Sequence, residues 1–330
     1  QMVLSRRQWL IHLCVCTWAL LTWGLMMPQA LALGGLQPPR GEMAPTCTWP
    51  TKSGAGEISL ADYRGRWVVL YLAWFHSLNE QMQPTRLKIH IKRLFLKLAD
   101  CVIANSTLTA VQLYEIYGVK KKKIETLPFW SNIDNQISEP QSKTLFLDKK
   151  NIVLGCPGRM VAHKNQKIVI KALSNLKKKG ITNFELNFAG NGEDLSKLVD
   201  LAKNLEVASE INFLGHLSPN AMSKFYKTCD IIILPSLHEA FGLVFIEAVA
   251  LNVPVLVSSS FGALSFIDPS AFDISKFSFN PESSKDLTEK LLAFKKHRFK
   301  PNFFRDLYLK TFDKREIFVK VMKAINQSKI

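Results

Sequence analysis

Residues 230–259 read DIIILPSLHEAFGLVFIEAVALNVPVLVSS. The run DIIILPS has the length and β-branched composition of a buried strand, as does VPVLVSS at the other end. Between them GLVFIEAVALN predicts a helix that is apolar nearly all round. An apolar strand, a loop, an apolar helix and a second apolar strand make one unit of a parallel sheet covered on both faces. Two acids interrupt the run, Glu239 and Glu247, eight positions apart. A carboxylate taken out of water is costly unless something answers it. The pair therefore marks a place where the fold holds a ligand or an internal partner.

The same alternation extends outward. NIVLGCPG, FELNFAGNG and EINFLG read as strands, and NQKIVIKALSNLKKKG, EDLSKLVDLAKNL and SPNAMSKFYKTC as the helices between them. The predicted class is α/β, a doubly wound parallel sheet over 146–330. Ligands of such sheets sit at the carboxyl ends of the strands. Those ends carry Gly158, Arg159 and Lys164 in GRMVAHKN, Gly190, Asn191 and Gly192 in AGNGED, Leu214 and Gly215 in FLGHL, and Glu239, Phe241, Gly242 and Leu243 in PSLHEAFGLV. Two cations, bare glycine backbone and two carboxylates suit a nucleoside diphosphate bearing a hydroxylated group. Arg159 offers a planar fork and Lys164 a point charge to a diphosphate. The amides of Gly242 and Leu243 at a helix start offer a further anion site. Glu247, about a turn into that helix, is placed for ribose hydroxyls, and Glu239 for the transferred sugar, since a carboxylate accepts from two vicinal hydroxyls at once. On this reading the acids are tolerated because ligand hydroxyls and neighbouring cations satisfy them. The alternative is that both acids pair internally and serve only folding.

PSLHEAFGLVFIEAVALNVPVLVS resembles the E-x7-E signature of retaining, GT-B fold glycosyltransferases of family 4, the glycosyl transferases group 1. The GRMVAHKN loop matches that family's Arg and Lys, five apart, and AGNGED and INFLGHL follow in order. The resemblance covers roughly 95–330. It implies a Rossmann-like GT-B carboxy-terminal domain, a nucleotide-sugar donor, a glycan, lipid-linked or other acceptor, transfer with retention of configuration, Glu239 as the catalytic acid, and donor contacts from the other loop residues. It implies no required metal or cofactor, in keeping with a sequence that has no D-x-D motif. Two departures stand out: Asn252 replaces the usual glycine after the helix, and Ser265 replaces the acid of GG-x-x-E in FGALSFI.

The first half reads differently. Residues 1–32 have the Arg6-Arg7, apolar core and QALA ending of an export leader, with an uncleaved anchor as the alternative. Residues 33–75 include GEMAPTCTWP and the strand-like WVVLYL, and resemble the opening of a bacterioferritin-comigratory-type peroxiredoxin. No cysteine follows that strand until Cys101, so no peroxidase activity is expected. Residues 76–145 read as a truncated, atypical remnant of an amino-terminal α/β region: a cationic helix in RLKIHIKRLFLKLAD, a strand in CVIANS, and a capped helix in STLTAVQLYEIYG. The leader points to export or a membrane anchor, whereas a nucleotide-sugar enzyme works in the cytoplasm or at its membrane face. Two other classes thus stay open: an inactive nucleotide-sugar-binding module, and a fused gene product without a complete acceptor domain.

Composition agrees with an anionic ligand, with 43 Lys+Arg against 27 Asp+Glu and a formal charge of +16. No nucleic-acid-binding signature accompanies that charge. The runs VKKKKI, NLKKKG and FKKHRFK read as solvated faces or as contacts to an anionic membrane surface. His163 and His216 have no spacing that suggests a metal, and Cys101, Cys156 and Cys229 look like small hydrophobes rather than a disulfide framework.

Overall fold

Parallel strands buried on both faces need helices on either side, and the carboxy-terminal half supplies them in alternation from Ile152 to Ser258, with three more helices after the last strand. In the computed structural model the described residues are 101–131, 151–296 and 299–327, the strand segments Thr48–Pro50 and Glu57–Ser59, and His90, Arg93, Leu96 and Ala99. They all fall in one unit, Cys47–Ile330. The leader, the WVVLYL run and the boundary read at 145/146 lie outside the described residues.

In chain order the strands are β1 (Thr48–Pro50), β2 (Glu57–Ser59), β3 (Val102–Ala104), β4 (Ile124–Thr126), β5 (Ile152–Pro157), β6 (Phe184–Ala189), β7 (Ile211–Phe213), β8 (Ile231–Leu234), β9 (Val255–Ser258) and β10 (Ser278–Phe279). The helices are α1 (Thr107–Glu115), α2 (Lys167–Lys178), α3 (Leu195–Asn204), α4 (Pro219–Thr228), α5 (Leu243–Ala250), α6 (Ser284–Lys296), α7 (Phe303–Thr311) and α8 (Lys314–Gln327). The main sheet runs β10-β9-β8-β5-β6-β7 and every pairing in it is parallel. The chain starts in the middle at β5, builds outward to β7, then returns to lay β8 against the other side of β5. The direction of winding reverses between β5 and β8, and the loops leaving those two strands part there to leave a crevice.

Each element follows from its residues. Ile231, Ile232, Ile233 and Leu234 are all buried, as a central strand requires. Helix α5 buries Phe245, Ile246, Ala248, Val249 and Ala250, so it is a core helix rather than a surface one. It ends at Asn252, which takes the left-handed conformation at φ 55°. Asn252 does what the family's glycine could not. Its side-chain oxygen accepts from the Arg305 backbone N–H at 3.1 Å, while the Arg305 guanidinium donates to the Ala250 carbonyl at 2.6 Å. The departure noted in the sequence thereby docks α7 onto the end of α5.

Before the main sheet, β3 and β4 form a two-stranded parallel pair, and β1 and β2 an antiparallel one. Helix α1 is capped as read, with the Ser106 hydroxyl accepting from Thr109 N–H at 3.1 Å and Gly118 turning the chain beyond it at φ 67°. His90, Arg93 and Leu96 are helical, in keeping with the cationic helix, and the Arg93 guanidinium donates twice to the Ile116 carbonyl beyond α1.

Phe312, fully buried just past α7, sets its ring edge-on to both Phe241 and Phe245 at the start of α5. Phe312→Ala should lower unfolding stability by about 3–5 kcal/mol through lost burial and the cavity left behind. Urea denaturation followed by circular dichroism measures this.

Candidate functional site

The crevice between the β5 and β8 exits is organised by one ion pair. Leaving β5, the chain turns through Gly158, Arg159 and Met160 and reaches a single 3-10 turn at Ala162–Lys164. The Lys164 ammonium meets the Glu239 carboxylate from the β8 exit, and each side chain keeps about a fifth of its surface exposed. Backbone bonds hold the two loops in that register. Leu237 N–H donates to the His163 carbonyl at 2.8 Å, and Gly262 N–H, from the loop after β9, donates to the Glu239 carbonyl at 2.9 Å. Asn165, left-handed at φ 55° and buried, donates its amide to the carbonyls of Pro235 at 3.2 Å and Pro281 at 2.7 Å. A left-handed, doubly donating residue beside Lys164 suits Asn, which tolerates that conformation better than other side chains.

Two glycines of AGNGED pack loop on loop. A Cβ at Gly190 would stand 2.0 Å from the Gly158 carbonyl oxygen, and one at Gly192 2.2 Å from that of Met160. The close backbone approach read from these glycines is therefore made to the neighbouring β5 loop of the protein itself. The Gly190 N–H also donates to the Gly215 carbonyl at 2.8 Å, which fastens the FLGHL loop alongside. Asn191 is exposed and turns its side-chain oxygen onto Gly192 N–H at 2.8 Å. Leu214, 44% exposed, lies at the surface, and Arg159 is exposed with its carbonyl accepting from Gln166 at 2.8 Å.

Helix α5 starts at the crevice. Its N-cap is Gly242 at φ 95°, where any Cβ would press to 2.4 Å from the Phe261 ring, so no side chain can occupy that position. No side chain caps the first turn, and while Phe245 N–H donates to the Gly242 carbonyl at 3.0 Å, the amides of Gly242 and Leu243 can serve an anion. Ser265, in place of the family's acid, donates its hydroxyl to the Gly262 carbonyl at 2.7 Å and adds no charge.

Glu247 is solved in another way. Its Oε2 accepts from the Tyr226 hydroxyl at 2.7 Å, and the hydroxyl of Ser131, beyond β4, also favours its charged form. Burial raises the Glu247 pKa above the usual carboxylate range, and the two hydroxyls work against that rise. Tyr226, fully buried, is pushed well above the ordinary phenol by burial first and by the Glu247 charge second. Burial likewise pushes the Cys156 thiol far up, with the Lys164 charge opposing it, so Cys156 serves as packing rather than as a nucleophile.

The structure thus brings Lys164, Glu239, Gly242 and the α5 start together. It gives the two acids separate partners: Glu239 has the expected cation, and Glu247 has protein hydroxyls. Asn165, Tyr226 and Ser131 were not among the residues singled out by sequence. Asn165 could have been, as an Asn following the motif lysine. Tyr226 reads as an apolar core residue of α4, and Ser131 lies outside every motif.

Because native Glu247 holds its proton more tightly than the unfolded chain does, its contribution to stability is fully present below the ordinary carboxylate pKa. That contribution is lost as pH rises through the raised one. Relative to Glu247→Gln, the unaltered chain should gain stability as pH falls from about 8 to about 4. Urea midpoints of both proteins across that range check it; a difference flat in pH would show that burial does not oppose the charge.

Comparison with known proteins places the geometry. An uncharacterized glycosyltransferase of Methanocaldococcus jannaschii is 33% identical over 126 residues, 38% of this chain and 32% of that one. A D-inositol 3-phosphate glycosyltransferase of Stackebrandtia nassauensis is 28% identical over 177 residues, 49% of this chain and 39% of that one. The chain spans less than half the length of these curated relatives. Among solved structures, Anabaena HepE in complex with UDP superposes with a TM-score of 0.61 at 18% identity, over 76% of this chain and 70% of that one. A glycosyltransferase of Rickettsia africae gives 0.56 at 19%, over 74% and 68%. Both share the fold. The model of the family described as "Glycosyl transferases group 1" matches residues 138–305, slightly more than half of the chain and all of the crevice loops, and the chain belongs to that family.

Proposed function

We propose that the crevice binds a nucleoside-diphosphate sugar and that the protein transfers the sugar to a glycan, lipid-linked or other acceptor with retention of configuration. The observation that carries this reading is the Lys164–Glu239 pair at the reversal of winding, beside the uncapped first turn of α5. In this assignment the amides of Gly242 and Leu243 and the cations Arg159 and Lys164 take the diphosphate. Backbone at Gly158, Gly190, Asn191, Gly192, Leu214 and Gly215 frames the nucleoside side, and the buried Phe241 ring supports the α5 start from beneath. Glu247 accepts the ribose hydroxyls, and Glu239 faces the sugar as the catalytic carboxylate.

Chemistry at this site follows from charge. The leaving group is a diphosphate, so departure is helped by whatever neutralises it, namely Lys164, Arg159 and the helix start. Held by Glu239, the Lys164 ammonium is already placed where the diphosphate would share it. Glu239, on the sugar side of that cation, can stabilise positive charge growing at the anomeric carbon. No metal or cofactor enters this scheme.

Supporting the assignment, proteins similar to this chain include D-inositol 3-phosphate glycosyltransferases, and HepE was crystallised with UDP. A second reading is a nucleotide-sugar-binding module without turnover. It draws on the small parallel sheet beside the crevice, which among the described residues has two strands, β3 and β4.

Calorimetric titration with UDP, GDP and ADP tests the binding. Glu247→Ala should weaken the bound diphosphate by about 1.5–3 kcal/mol, the scale of a hydrogen bond to a charged group. Glu239→Ala should leave the bare diphosphate nearly unchanged and remove the added affinity for the nucleotide-sugar. Equal losses for both ligands in both variants would defeat the assignment. Retention is read by nuclear magnetic resonance of the anomeric proton in the first-formed product. Inverted product would overturn the retaining mechanism, and tight donor binding with no transfer or hydrolysis would establish the second reading.

A further inference from the structure

A lysine is a point charge on a flexible four-carbon stem, so where its ammonium can reach depends on where its backbone is held. Past Lys164 the chain is held by Asn165 and Gln166, both of them buried. Gln166 closes the loop on itself, donating its side-chain amide to the Arg159 carbonyl at 2.8 Å, while Lys164 N–H donates to the Val161 carbonyl at 2.9 Å. Asn165 ties the closed loop outward. Its amide nitrogen donates to the Pro235 carbonyl just past β8 at 3.2 Å and to the Pro281 carbonyl just past β10 at 2.7 Å. Both amide hydrogens are thus spent on the exits of two other strands, 70 and 116 positions away. The Asn165 carbonyl meanwhile accepts from Ile168 N–H at 3.1 Å as α2 opens.

We propose that Asn165 is a positioning residue for the diphosphate: by anchoring the β5 loop to the β8 and β10 exits, it fixes the Lys164 ammonium in the crevice. The proposal rests on Lys164 being a diphosphate ligand. The His163 carbonyl, which accepts from Leu237 N–H, fixes the residue before the lysine, and the Asn165 amide fixes the one after it. Lys164 is therefore held from both sides against the β8 loop. Pro281, outside every motif read from the sequence, adds a third strand exit to the scaffold of the donor site. Pro235 and Pro281 present carbonyls, so only a donor at position 165 can make these ties. A loop held in advance spares the bound state the cost of ordering it.

The test uses the full chain and calorimetric titration with bare uridine, guanosine and adenosine diphosphates, because Pro235 also leads on to Glu239. Asn165→Gly keeps the left-handed backbone and removes both donors. It should weaken the diphosphate roughly 5- to 10-fold, the scale of one net hydrogen bond. Asn165→Asp keeps the shape but sets a carboxylate against two carbonyls, and should weaken binding at least as much. Lys164→Ala should weaken it more than Asn165→Gly does, and adding Asn165→Gly to Lys164→Ala should cost nothing further. A merely structural role would weaken binding without Lys164 as well. Additive losses therefore overturn the proposal, as would unchanged or tighter binding in Asn165→Gly or Asn165→Asp. Titrations are run where melting curves show each variant folded. The same cycle with Asn165→Asp decides if Asn165→Gly does not fold, and if neither folds, Asn165 is structural and the proposal falls. Lys164→Ala separates the two levels. If it leaves affinity unchanged, or if none of the three diphosphates binds the unaltered chain, the diphosphate assignment fails and this inference with it. If it weakens binding while Asn165→Gly does not, this inference alone fails.

Discussion

Joining two loops 75 positions apart in sequence, the Lys164–Glu239 pair holds the crevice in register. β5 and β8 are neighbours in the sheet, yet their following loops lead to helices wound in opposite directions, so nothing in the strand pairing itself keeps those loops together. Charge and backbone bonds do. The ammonium and carboxylate meet across the gap, the His163 carbonyl receives the Leu237 amide, and Asn165 donates to both Pro235 and Pro281. With each side chain about one-fifth exposed, the pair is wet enough to be exchanged for a ligand and dry enough that an unanswered charge would be costly.

Glu247 shows the opposite solution to the same cost. It is deeper than Glu239, and hydroxyls rather than a cation support it. Hydroxyl donors leave the negative charge in place and leave acceptor sites open, whereas a lysine or arginine in their stead would fill them. The raised proton affinity follows from that choice, because two neutral donors do not offset the loss of water.

Much of this architecture was legible in the sequence. The strand–helix alternation from Ile152 to Ser258, the turn at Asn252 and the cap at Ser106 all follow from local pattern and residue chemistry. The partners of Glu247 did not, because Tyr226 sits on the buried face of an ordinary amphipathic helix and Ser131 is 116 positions away from the acid it supports. No periodicity reports a contact of that separation. The glycines were recognised as places of close approach, but which backbone approaches them depends on how β5 and β6 align. Gly190 meets Gly158 and Gly192 meets Met160 because Pro157 pairs with Ala189 and the two loops leave the sheet together.

That alignment bears on the departures from the family pattern. Where the family has an acid, Ser265 spends its hydroxyl on the Gly262 carbonyl, and Gly262 N–H in turn donates to the Glu239 carbonyl. The loop after β9 is thus tied to Glu239 by backbone, and a Cβ at Gly262 would stand 2.0 Å from the Ala240 carbonyl oxygen, so the loop cannot retreat from the crevice without breaking that tie. Replacing the acid removes one charge from this edge of the crevice while the backbone path that positions Glu239 is kept. With Ser265 neutral, Glu239 is the acid that Lys164 meets among the described residues, and the charge balance at the crevice shifts toward the cation.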